Sequence, residues 1–151
     1  MGNLKLTSSA FSNGGEIPRE CGYKNGNKEP ALAISGIPNE TESLALIMDD
    51  PDAMGAVGKV WVHWVAWNII STHTNMDDIF SNNRCNLGMT DFGEVGYGGP
   101  APPDKRHTYV FKLYALDIKL DLPNESTKAD VEKAMEGHII EQTQLTGTYA
   151  P

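Results

Sequence analysis

Three short stretches of this chain carry side chains that can bind a charged ligand or hold a proton. Asp49-Asp50-Pro51-Asp52 sits at the end of an apolar run that starts at Ser43. His63 interrupts an aromatic run, Trp61 to Ile70. Between Gly93 and Asp104 lie four glycines and three prolines, followed by His107-Thr108-Tyr109. Imidazole and phenol groups donate hydrogen bonds to phosphate or carboxylate oxygens, and glycine amides in a turn can point at an anion. A carboxylate close to an imidazole favours its charged, doubly donating form. The candidate ligand-binding groups are therefore drawn from the carboxylates Asp49, Asp50 and Asp52, from His63, from the loop at Gly98, Gly99 and Pro100, and from His107 and Tyr109.

Each group also has an ordinary structural reading. Asp before Pro starts turns, and Asp caps its own backbone. A histidine among tryptophans and valines fits a core position, and a Gly/Pro-rich segment fits a plain loop. Asp49 reads as a solvated residue beside the cluster. His73 reads as an exposed turn residue and His138 as a structural residue on a late helix.

The elements that must position these groups are mostly strands. Phe92 to Arg106 holds too much glycine and proline for a regular element, so it is a loop feeding a strand over His107 to Asp117. On that strand His107, Tyr109 and Phe111 share one side. Ser43 to Met48 is apolar on both faces, as a central strand is. Val60 to Ile70 is another central strand, with Trp61, His63, Val65, Trp67 and Ile69 expected on one face and Val62, Trp64, Ala66, Asn68 and Ile70 on the other. Leu4 to Phe11 reads as an edge strand, Ala31 to Ile34 as a short strand, and Met76 to Asn82 as a short helix. Thr127 with Asp130 makes a capping box, opening a late helix that carries Val131, Ala134, Met135, Ile139 and Gln142 on one face and ends near Gly147. Gly147 to Tyr149 is open to a final short strand. One X-Pro bond in the loop, such as Pro102-Pro103, is a candidate for the cis form.

At 151 residues the chain predicts a single domain, 1–151. A charged fraction of 21% with 40% apolar residues argues against disorder. The net charge of −8, with no basic cluster, disfavours nucleic acid and anionic membrane surfaces. No run reaches the ~18 apolar residues of a spanning helix and none resembles a secretion signal, which predicts a cytoplasmic protein without a transmembrane segment. Cys21 and Cys85 belong to no metal-binding spacing, and two reduced thiols are favoured over one disulfide.

The same stretches carry a family resemblance. DDPDA at Asp49 to Ala53, His63-Trp64 with Asn68 beyond, and GPAPP at Gly99 to Pro103 followed by His107-Thr108-Tyr109 resemble the signature stretches of the phosphatidylethanolamine-binding protein family, in its bacterial and archaeal Raf kinase inhibitor-like branch. Weaker resemblance runs from Gly14 to Tyr149. It implies a mainly β, antiparallel β-sandwich-like fold with a late C-terminal helix and few others. It also implies Asp50, Asp52, His63, His107 and Tyr109 as site residues. Thr108 and Lys105 depart from the pattern, standing where arginine and glycine are usual.

Together these features lead us to expect a binder of phosphate, phosphoethanolamine or a carboxylate ligand, with no cofactor and no metal. The resemblance adds a kinase or protease partner, and a homodimer is an open expectation. The rival reading is a weak hydrolase or metal-dependent enzyme built on two histidines and a carboxylate. H-E-x-x-H, G-x-S-x-G and G-x-x-x-x-G-K are all missing from the sequence.

Overall fold

The computed structural model describes residues 2–69 and 85–151. The helix expected at 76–82 and the turn expected at His73 lie outside those residues. Among the described residues, β1 (Lys5–Thr7) pairs with β3 (Ala33–Ser35) as a two-stranded sheet. A larger sheet is built from β2 (Gly15–Glu16), β4 (Ser43–Asp50), β5 (Trp61–Ile69), β6 (Asn86–Leu87), β7 (His107–Leu116) and β8 (Ile139–Tyr149). Its order is β2-β8-β7-β4-β5-β6, antiparallel except where β2 meets β8 in parallel. The fold is mainly β, as expected. Among the described residues two α-helices, α1 (Ala53–Val57) and α2 (Lys128–Met135), and a 3-10 turn at Arg19–Cys21 accompany the sheets.

Every residue of β4 is buried, which explains its unbroken apolar run. Leu44, Leu46 and Met48 face the core shared with the small sheet, together with Phe111, Leu113 and Leu145. Ala45 and Ile47 face the opposite side, where Val131 and Met135 of α2 cover the sheet. Burying each such aliphatic side chain is worth about 1.5–3 kcal/mol. The same alternation sends the two ends of the Asp pair to opposite faces.

Asp49 corrects an expectation. It is buried, not solvated, and its Oδ2 accepts from Lys112 Nζ at 3.2 Å and from Lys128 Nζ at 2.9 Å. The carboxylate thus ties α2 to the sheet.

The face assignment of β5 is also corrected. Pairing with β4 steps from Met48↔Trp64 to Asp49↔Val62, so His63 is an extra residue on its strand. A second irregularity takes the register from Ala66 to Ile69 across Asn68, whose φ is 58°. Such bulges re-aim side chains. Trp64, Ala66 and Ile69 consequently join the core between the sheets, while Val65 and Trp67 pack under α2.

The late helix starts where its capping box predicts. Thr127 Oγ1 accepts from the Asp130 amide at 3.2 Å, and Asp130 Oδ2 accepts from the Thr127 amide at 3.0 Å. It stops at Met135, well short of Gly147. Gly137, at φ 79°, turns the chain, and residues from Ile139 onward form β8. That segment pairs along nearly all of β7, from Leu116↔Ile139 to His107↔Tyr149. Long-range pairing overrides the helical spacing of Ile139 and Gln142. His138 accordingly lies beyond the helix, with Nδ1 2.8 Å from Asp117 Oδ1. All peptide bonds of the described residues are trans, Pro102-Pro103 included.

Candidate functional site

The adjacent strands β7, β4 and β5 bring His107, Asp50 and His63 side by side at one end of the large sheet. The three side chains line a cavity of about 220 Å3. Trp61 and Phe92 form aromatic walls, α1 closes one side with Ala53, Ala56 and Val57, and Ala101 with Pro103 of the Gly/Pro-rich loop closes another. Trp61 and Phe92 meet edge-on at 5.6 Å, and Phe92 also meets the His63 ring edge-on at 5.3 Å.

His107 is fully buried and has both ring nitrogens engaged. Nδ1 lies 2.6 Å from Asp50 Oδ2, and Nε2 lies 2.7 Å from Asp104 Oδ1. Ionised carboxylates only accept, so both nitrogens carry protons and the ring is an imidazolium. Burial opposes this charge, but the hydrogen bonds to Asp50 and Asp104 outweigh it and the pKa of His107 is raised. Asp104 is held below the usual carboxylate range by its bond to His107.

His63 behaves differently. It is buried, its pKa is lowered by desolvation, and its Nδ1 bonds the Gly98 carbonyl oxygen at 2.7 Å. That carbonyl can only accept, so Nδ1 carries the proton and the neutral ring presents Nε2 as an acceptor. The two rings differ because Asp50 and Asp104 touch His107, whereas no carboxylate touches His63 and desolvation prevails there.

Tyr109 lies beneath the pocket, its ring 5.1 Å from His63 and 6.3 Å from His107. Burial, reinforced by the charge of Asp50, raises its pKa, so the phenol stays protonated. Its hydroxyl and Asp50 Oδ1 are buried and make no well-formed hydrogen bond among the described residues, although the hydroxyl lies near enough to the Asp50 carboxylate and the Ala101 backbone to interact with both. Leaving such groups unpaired costs about 1–3 kcal/mol each.

The remaining predicted residues support the site without lining this cavity. Asp52 is exposed and accepts through Oδ2 from the Thr108 amide at 2.8 Å, fastening the turn after β4 to the start of β7. The Gly98 amide donates to the His63 carbonyl at 2.8 Å, and the Gly99 amide donates to Asn27 Oδ1 at 2.7 Å. Pro100 accepts from the Tyr23 amide at 2.9 Å and borders a second, neighbouring cavity. The two glycine amides are thus committed to the fold, which corrects the expectation that they face an anion. Glycine is needed for closeness: a β-carbon at Gly99 would collide with the Cys21 carbonyl, and one at Gly98 would sit 2.5 Å from the Phe92 ring.

Sequence reasoning missed Asp104, Trp61, Phe92 and α1. Asp104 stands three residues before His107, a spacing that could have flagged it. Lys105 is exposed and stays out of the cavity lining. Cys21 and Cys85 are free, and burial pushes both thiols up to about 11. No group of three or more His, Cys, Asp or Glu among the described residues is placed to hold a metal ion. Nor is any described helix long and apolar enough to cross a membrane.

Fold and site define a class of two-sheet β proteins with an Asp/His pocket at the sheet's end, and known proteins narrow it. A family model described as phosphatidylethanolamine-binding protein matches residues 7–150, and the chain belongs to that family. A UPF0098 protein of Methanothermobacter thermautotrophicus is 41% identical over 97% of this chain and 98% of its own. The crystal structure of the phosphatidylethanolamine-binding protein homologue CT736 from Chlamydia trachomatis is similar with a TM-score of 0.89 and 37% identity, covering 99% of this chain and 98% of that one. E. coli YbcL, described as a member of the mammalian family, has a TM-score of 0.87 and 31% identity, with 98% of each chain covered.

Proposed function

We propose that the cavity binds a small phosphorylated ligand that also carries a cationic or donor group, of the kind phosphoethanolamine represents. The observation that carries this reading is a donor and an acceptor buried beside a charged imidazole, the Tyr109 hydroxyl and Asp50 Oδ1, neither of which makes a well-formed hydrogen bond. A phosphate oxygen would take its hydrogen bonds from His107 Nε2 and the Tyr109 hydroxyl. An ammonium group would donate to Asp50 Oδ1 and to the neutral Nε2 of His63, against the faces of Trp61 and Phe92.

Charge balance favours such a two-ended ligand. Asp50 and Asp104 together outweigh the single positive charge of His107, so an anion alone meets net repulsion. The family description supports a phosphoethanolamine-like headgroup, and the chain's acidity fits a cytoplasmic protein that meets its ligand without attraction to an anionic surface.

The test is a two-dimensional NMR titration with phosphate and then phosphoethanolamine, following the His63 and His107 rings. Saturable shifts at both rings, stronger with phosphoethanolamine and weakening as pH rises through the His107 pKa, are the expected result. Rings unmoved by either compound would refute the reading.

A further inference from the structure

We infer that Asp104 is a built-in competitor for His107 Nε2, so that a ligand enters only by displacing this carboxylate, and that Asp104 thereby selects phosphoryl groups over carboxylates. The inference rests on the anion-pocket reading and deepens it.

Asp104 and Asp50 hold the same imidazole in different ways. Asp50 is buried at the end of a central strand, where its carboxylate has almost no solvent to turn into. Asp104 sits on the loop, its side chain 44% exposed, and reaches Nε2 from the outer side at 2.7 Å. On leaving, it would be solvated at once, so its release costs only the bond it breaks. The ring nitrogen it covers belongs to a residue that lines the cavity, and Pro103, its neighbour in sequence, lines it as well.

Chemistry then decides which anions succeed. A carboxylate ligand would exchange one singly charged carboxylate for another and lose the advantage of a tethered partner, which is present at high effective concentration. A phosphomonoester brings about −1.5 to −2 charges and three acceptor oxygens, enough to bond Nε2 and the Tyr109 hydroxyl together. Asp104 therefore acts as a specificity-determining residue that never needs to touch the ligand.

The test compares wild type, Asp104→Ala and Asp104→Asn for inorganic phosphate, phosphoethanolamine and acetate, with Asp121→Ala as a control that removes one exposed carboxylate elsewhere. Titrations run at about pH 7, where phosphate carries more than one negative charge, and again at about pH 6, below the ordinary histidine pKa of ~6.5, where His107 stays protonated through Asp50. Asp104→Ala is expected to bind phosphate about tenfold tighter, with acetate binding emerging and the phosphate-to-acetate ratio falling; Asp104→Asn, which keeps an acceptor without the charge, should fall between. Equal affinities in wild type and Asp104→Ala, or the same gain in Asp121→Ala, would overturn the competitor role while leaving the pocket standing. No binding of phosphate or of phosphoethanolamine by any of the four proteins would sink the pocket reading and the competitor with it.

Discussion

His63 and Gly98 hold each other through two hydrogen bonds, one in each direction. The Gly98 amide donates to the His63 carbonyl at 2.8 Å, and the His63 Nδ1–H donates to the Gly98 carbonyl at 2.7 Å. The pair locks the loop onto β5 and leaves His63 Nε2 as an acceptor.

Because burial lowers the His63 pKa, the folded protein takes up this ring's proton later than the unfolded chain does. Its stabilising contribution is complete above the ordinary value near ~6.5 and is lost as pH falls through that value towards the depressed folded one. His63→Asn keeps an amide donor for Gly98 and removes the titration. Denaturant midpoints measured between about pH 7 and pH 5 should show a shallower acid-side loss for the variant than for wild type.

His107 works in the opposite sense. Its raised pKa gives a contribution that is complete below ~6.5 and lost as pH rises through the folded value. Ring titration by NMR should find His107 above the ordinary value and His63 below it. Asp50→Asn, which removes the charge held against Nδ1, should lower the His107 pKa.

Asp49 and Asp50 are neighbours in sequence with separate jobs. Asp49→Asn removes the charge that Lys112 and Lys128 share, and both lysines are partly exposed and can turn to water. A loss of about 1–3 kcal/mol in denaturant unfolding is expected, below the ~3–5 kcal/mol of a fully buried broken pair. Phosphate affinity should be unchanged, since Asp49 lies on the opposite face from the cavity.

Gly99→Ala places a β-carbon against the Cys21 carbonyl and 2.9 Å from the Tyr23 amide nitrogen, backbone atoms that cannot swing away. Thermal unfolding should show a loss of about 1–3 kcal/mol or more. Gly93→Ala has open space around it but pays for its φ of 79°, so its loss should be the smaller of the two.

The strands that frame the site were legible in the sequence because burial on two faces leaves a local signature, as in Ser43 to Met48. The α2 cap was legible for the same reason: Thr127 and Asp130 satisfy each other within one turn. Strand β8 was not. Only its end, Gly147 to Tyr149, was open to a strand; the residues from Ile139 read as the tail of a helix, and the length of β7 beside them decides otherwise. Two bulges in β5 likewise escaped, since an extra residue is defined by the partner strand and not by the strand itself.

For the site, residue types together with the family resemblance pointed to Asp50, His63, His107 and Tyr109, and the structure brings these four together. Which histidine is charged depends on which of them a carboxylate touches, and that is a matter of distances between elements far apart in the chain. Composition and local pattern determine what a residue can do; the tertiary structure decides what it does, because desolvation, hydrogen-bond partners and neighbouring charge are properties of the packed assembly.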